Sequence, residues 1–268
     1  MAPSIEMNAN PTLDLKEQAQ ADARTLAAPV LRFLAWGVHL YTALGLVLAA
    51  TIAVLLVRGG PDAFRWSFIL MLVATLIDAT DGTLARRVRV KKVLPNFDGR
   101  KLDDLTDFLT YTFLPLLLIW RAQLLPTGCD AWLLLPLLAS AYGFCQVEAK
   151  TDDGYFLGFP SLWNIVAFYL YVLNIHAWLA LGIVVMLSLL TFVPSRYLYP
   201  SQPGLLNRVS NVLGAVWTLF LIAILYQMPV GIAPSTHDSV NVMAWVSLFY
   251  PLYYMVASWS VTLRRWFA

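Results

Sequence analysis

The stretch Trp66–Asp107, WSFILMLVATLIDATDGTLARRVRVKKVLPNFDGRKLDDLTD, decides how the chain is read. It opens on an apolar run suited to a bilayer, and that run ends on two carboxylates, Asp78 and Asp81. A basic stretch follows, and then Asp103, Asp104 and Asp107 lead into the next apolar segment. Carboxylates at membrane depth are costly and mark functional positions by default. The run is one of several. Of 268 residues, 59% are AVILMFWYC and 13% are charged, about half the charged share of an ordinary globular domain. The apolar residues fall in blocks of about 16–23, near the roughly 20 that one helical crossing of the hydrocarbon core needs. This excludes a soluble enzyme, a nucleic-acid binder and a disordered chain.

Worked outward, the pattern predicts an all-α membrane protein. It is a polytopic bundle of about eight transmembrane helices, preceded by an N-terminal amphipathic helix in the interface. Residues 1–26 are polar and acidic and read as a disordered or frayed cytoplasmic arm, with no basic segment leading an apolar signal core. The remaining 27–268 form one transmembrane domain. The interfacial helix falls at Leu26–Trp36, and the spans at Ala35–Val57, Trp66–Leu84, Leu105–Leu125, Ala131–Val147, Leu162–Ile175, Trp178–Val193, Val209–Gln227 and Met243–Leu263. With the N-terminus inside, the outer loops hold only Arg58, Arg65 and Arg121, leaving fifteen of the 18 basic residues on the cytoplasmic side. That asymmetry sets both termini in the cytoplasm. Cys129 and Cys145 form no CxxC pair, and His39, His176 and His237 share no ligand spacing. All five read as ordinary packed or exposed residues.

The acids carry the chemistry. Asp78 and Asp81 are i,i+3 on one helix, while Gly99, Asp103 and Asp107 step by four on another. Side by side, the two helices would gather four carboxylates, which repel unless protonated or bridged by cations. An all-oxygen cluster suits magnesium or manganese, and two such ions roughly 4 Å apart form a clamp for phosphoryl chemistry. Gly82 permits close approach, and Arg86 lies one turn beyond Asp81, placed to hold a diphosphate by a charge-assisted fork. The alternative is a salt-bridged helix end, with the acids paired to Arg86, Arg87, Arg100 and Lys101.

D-x-x-D-G-x-x-A-R followed by G-x-x-x-D-x-x-x-D resembles the signature of the CDP-alcohol phosphotransferases. All eight positions are filled, by Asp78, Asp81, Gly82, Ala85, Arg86, Gly99, Asp103 and Asp107. The gap Arg87–Asp98 is longer than the family's usual one, as in the bacterial phosphatidylcholine synthase branch. Phe144–Leu173 and the span count also look like that branch. The resemblance implies a metal site at Asp78, Asp81, Asp103 and Asp107, with two divalent cations, manganese or magnesium. It implies a pocket for CDP-diacylglycerol formed by Asp78, Gly82, Ala85, Arg86 and Gly99. Asp107, together with Asp103, would be catalytic, Asp107 as base for the choline hydroxyl. A homodimer in the bacterial inner membrane is also implied.

A quaternary ammonium is held by aromatic faces and an acid. The cytoplasmic connection after the fourth span offers Glu148 as the acid and Tyr155 and Trp163 as cage walls, with Tyr111 a further choice. A phosphorylated acceptor would call for more basic residues than Lys150, Arg196 and Arg208. Serine is the competing acceptor. A transporter would spread its acids towards the midplane on several helices, whereas these cluster at one interface.

Overall fold

The computed structural model describes residues 11–60, 62–147, 151, 154–198, 205–228 and 238–267. Helix α1 (Pro11–Arg58) is continuous, and α2 (Ala63–Val88) returns beside it after the turn at Gly59 and Gly60, both at positive φ. The interfacial helix expected at Leu26–Trp36 is therefore not a separate element. No proline falls between Pro29 and Arg58, so nothing ends the helix where it meets the span. Residues 11–26, expected as an arm, continue the same helical backbone, and residues 1–10 lie outside the described residues.

Arg89 closes α2 in the left-handed conformation, φ 57° and ψ 43°. The short α3 (Val90–Val93) follows. Next come α4 (Gly99–Asp107), a π-helical segment Phe108–Phe113, and α5 (Leu114–Arg121), joined end to end. A 3₁₀ turn, Asp130–Leu133, leads into α6 (Leu134–Cys145). After α7 (Trp163–Val172) and α8 (Ala177–Leu190) come α9 (Leu205–Gln227), α10 (Asp238–Ser247) and α11 (Phe249–Trp266).

Among the described residues, four helical stretches are long and apolar enough to cross a membrane: Pro29–Arg58, Ala63–Val88, Leu205–Gln227 and Ser239–Trp266. Asp130–Cys145, Trp163–Val172 and Ala177–Leu190 are apolar but shorter. The chain is an all-α membrane protein in outline, and length alone supports fewer crossings than the eight expected. One element was unforeseen. Strands β1 (Tyr155–Leu157) and β2 (Arg196–Leu198) pair antiparallel, Tyr155 with Leu198 and Leu157 with Arg196. The other edge of β2 is covered by α11: Thr262 Oγ1 accepts from Arg196 N at 2.8 Å, and Tyr254 donates to the Leu198 carbonyl at 3.0 Å. A covered edge leaves no backbone groups to seek another chain.

The core joins Ile52 and Leu56 of α1, Met71 of α2, Leu118 and Ile119 of α5, and Val184 of α8. Gly45 lets α1 approach α4, since a Cβ there would run into Thr106. Small residues at such crossings are how membrane helices pack closely. This contact brings α1, α2 and α4 together at one end of the bundle.

Candidate active site

The acidic half of α2 and the second half of α4 meet at that end. One carboxylate oxygen from each of Asp78, Asp103 and Asp107 lies within 4.8 Å of the others, and all three residues are half-buried. Asp103 and Asp107 owe this to their i,i+4 spacing. Asp98 sets where α4 begins: its side chain accepts from the N–H groups of Arg100 and Lys101, and it pairs with the Lys101 ammonium at 3.9 Å.

Asp81 takes a different place from the one its spacing suggested. Three residues along a helix leave about 60° between side chains, enough for Asp78 to address α4 while Asp81 addresses α1. Asp81 is 6% exposed and accepts from Thr42 Oγ1 at 2.7 Å. It still bears electrostatically on Asp107, along with Asp78, Asp103 and Asp104. Three acids thus form the trio, and the fourth is anchored beside it.

Tyr111, in the π-helical segment, donates to Asp78 Oδ2 at 2.7 Å. Its position i+4 from Asp107 was the available signal for such a contact. Thr42 had a fainter one, the polar run His39-Leu40-Tyr41-Thr42 inside an apolar span. Tyr41 shares in it, its hydroxyl 2.8 Å from Thr80 Oγ1. His39 is buried against Phe97, ring centroids 4.3 Å apart, and Trp36 lies 5.9 Å from it. A Cβ on Gly99 would fall 2.5 Å from the His39 ring, so close packing alone already demands glycine there.

Gly82, Ala85 and Arg86 occupy the last turns of α2. Arg86 is exposed and donates to Thr83 Oγ1 at 3.0 Å. A Cβ on Gly82 would meet only the Arg86 guanidinium, at 3.4 Å. This surface is open to a large phosphate-bearing ligand, with a guanidinium beside it.

The acceptor-side residues are not brought together in the same way. Glu148 lies outside the described residues. Tyr155 sits in β1 with the Arg265 guanidinium 5.5 Å above its ring. Trp163 is 0% exposed, its ring against Phe159 and its Nε1 donating to Ser140 Oγ at 2.9 Å. The expectation of Trp163 as a cage wall is thereby corrected. Its indole is consumed by the core and by one satisfied donor, leaving no face for a ligand.

The trio offers only carboxylate oxygens, the donor set that hard divalent ions take. Residues 39–194, more than half the chain, match the model of the CDP-alcohol phosphatidyltransferase family. A phosphatidylcholine synthase of Pseudomonas aeruginosa is 38% identical over 202 residues, 75% of this chain and 84% of the relative. One from Legionella bozemanae is 38% identical over 168 residues, 60% of this chain and 77% of the relative. One from Borreliella burgdorferi is 31% identical over 197 residues, 72% and 82%. The eight motif residues all lie within the matched segment, and the chain belongs to the CDP-alcohol phosphatidyltransferase family.

Proposed function

We propose that this chain transfers the phosphatidyl group of CDP-diacylglycerol to choline, giving phosphatidylcholine and CMP. The observation that carries this reading is the Asp78–Asp103–Asp107 trio at the motif-bearing end of α2, in a chain related to phosphatidylcholine synthases. Asp78, Asp81, Asp103 and Asp107 hold divalent cations, manganese or magnesium, two to a site. When bound, the ions neutralise the diphosphate and favour the departure of CMP. Arg86 grips the diphosphate, with Gly82, Ala85 and Gly99 leaving room for the nucleotide. Asp107 accepts the proton as the choline oxygen attacks the phosphorus that carries diacylglycerol. That P–O bond forms while the bond to the CMP phosphate breaks. A base of this kind needs only to reach the alcohol in the bound complex.

Glu148 and Tyr155 serve the trimethylammonium group, an acid for its charge and an aromatic face for its surface. Eight spans, both termini in the cytoplasm, a homodimer and a bacterial inner-membrane location complete the proposal. It is supported by the basic-residue asymmetry and by the family resemblance.

The test is CMP release by purified protein from CDP-diacylglycerol, with choline, ethanolamine, serine and glycerol phosphate as competing acceptors. Choline-dependent release that requires manganese or magnesium is expected, and Asp103→Asn abolishes it without loss of membrane insertion. Turnover without a divalent ion would overturn the trio's role, and release with serine but not choline would overturn the acceptor.

A further inference from the structure

Tyr111 stands four residues after Asp107, in the π-helical segment Phe108–Phe113 that joins α4 to α5. The physical cause of that wide turn is Pro115, in the first turn of α5. In a regular α-helix the proline nitrogen would face the carbonyl of residue i−4, here Tyr111, with no proton to give and a ring that clashes. Widening the backbone relieves the clash, and the Leu114 N–H reaches back five residues to the Leu109 carbonyl. Single wide turns of this kind inside helices occur frequently at functional sites.

The consequence is one of aim. Four α-helical residues would leave Tyr111 roughly 40° around the axis from Asp107. The wide turn resets that angle while Asp107 keeps its place in the trio. The phenol donates to Asp78 Oδ2 on α2 at 2.7 Å, the length of a charge-assisted bond. Asp81 is held in the same manner by a neutral donor, Thr42 Oγ1 at 2.7 Å. A hydroxyl orients a carboxylate without cancelling its charge, whereas a lysine or arginine on the same oxygen would compete with a cation. Stability alone gives little reason for such a bond, since polar contacts between membrane helices contribute about 0.6 kcal/mol on average. Side chains that hydrogen-bond a metal ligand fix its orientation, and losing one typically costs about 10–100-fold in metal affinity or activity.

We infer that Tyr111 is a positioning residue of the metal centre rather than part of the acceptor pocket, and that Pro115 acts through the π-helical turn to aim it at Asp78. The inference rests on the reading of the trio as a metal site. Pro115 is buried and stands outside the eight motif positions, so its link to the aspartates runs through the backbone.

The experiment is manganese binding to the detergent-purified full chain without substrate, followed by the electron paramagnetic resonance signal of the free ion. Tyr111→Phe, which keeps the ring and removes one oxygen, weakens binding by about tenfold or more. Pro115→Ala lets the helix close regularly, turns the phenol away and weakens binding to a similar degree. The double variant binds no more weakly than Tyr111→Phe alone, because both changes remove the same bond. At saturating manganese, Tyr111→Phe leaves the KM for choline in CMP release unchanged. Unaltered manganese affinity in Tyr111→Phe, or a raised choline KM in its place, overturns the positioning role. Unaltered affinity in Pro115→Ala, or a further loss in the double variant, overturns the part given to the proline. Should Pro115→Ala fail to fold, Pro115→Leu, which also restores the backbone N–H, takes its place with the same outcomes. If the unaltered chain binds no manganese, it is the metal-site reading that falls, an outcome distinct from failure of the positioning role alone.

Discussion

Gly99 is where two demands on one residue can be separated. The family motif wants glycine there, and so does the His39 ring, which an added methyl would meet at 2.5 Å. His39 has little room to retreat, packed against Phe97 with Trp36 alongside. In Gly99→Ala the start of α4 must move instead, taking Asp103 and Asp107 off the geometry shared with Asp78. A displacement near 1 Å costs on the order of 10²-fold in rate, so CMP release should fall by about that factor. His39→Ala removes the obstacle, and the double variant should release CMP faster than Gly99→Ala alone. A double variant no better than the single would show that the glycine serves something other than fit. The motif acids were legible in the sequence because spacing is all that their shared face needs. The split between Asp78 and Asp81 was not, because it depends on α1 supplying Thr42 beside one and the π-helical segment supplying Tyr111 to the other.

At the scale of elements, the β1–β2 pair shows why some structure escapes periodicity. Three-residue strands carry too few alternations to register, and their partners lie about forty residues apart in the chain. What fixes them is contact. Gly158, just past β1, has φ +78° and donates its N–H to the Ser195 carbonyl at 2.8 Å. A Cβ there would collide with the Thr191 carbonyl at the end of α8. Gly158→Ala therefore suffers both left-handed strain and overpacking, together about 2–4 kcal/mol. Thermal melting in detergent should show a clearly lower midpoint than the unaltered chain. Gly37→Ala is the matched control: nothing lies within 4 Å of its added methyl, and α1 gains helix propensity. Equal midpoints for the two variants would mean that the ladder is not held as described. The same dependence on contact misled the reading of Trp163. An aromatic after a polar connection looks like a ligand wall until Ser140 and Phe159 are found around it.

For the whole molecule, the apolar blocks and the basic bias gave the membrane class, while the number and length of crossings depended on breaks that packing decides. Leu248 divides α10 from α11 within one expected span, and the π-helical segment interrupts another. Orientation has a direct test in the two native cysteines. Cys129 immediately precedes the 3₁₀ turn into α6, and Cys145 is its last residue, about 24 Å further along at helical rise. Asp130, next to Cys129, lines a cavity with Leu56, Val57 and Arg121. Gly59, Gly60 and Arg121 line an adjoining cavity. This end therefore carries two of the three basic residues assigned outside, Arg58 and Arg121, while the aspartate trio lies at the opposite end. An impermeant maleimide on spheroplasts should label Cys129 in a Cys145→Ala background. In a Cys129→Ala background it should reach Cys145, the more exposed of the two, only after permeabilisation. The reverse pattern would turn the chain over, away from the cytoplasm that supplies choline to the proposed reaction and receives the CMP it releases. The charge asymmetry and the catalytic reading thus stand on one labelling pattern, because an acidic site built for a nucleotide-activated lipid has to face the compartment that holds the nucleotide.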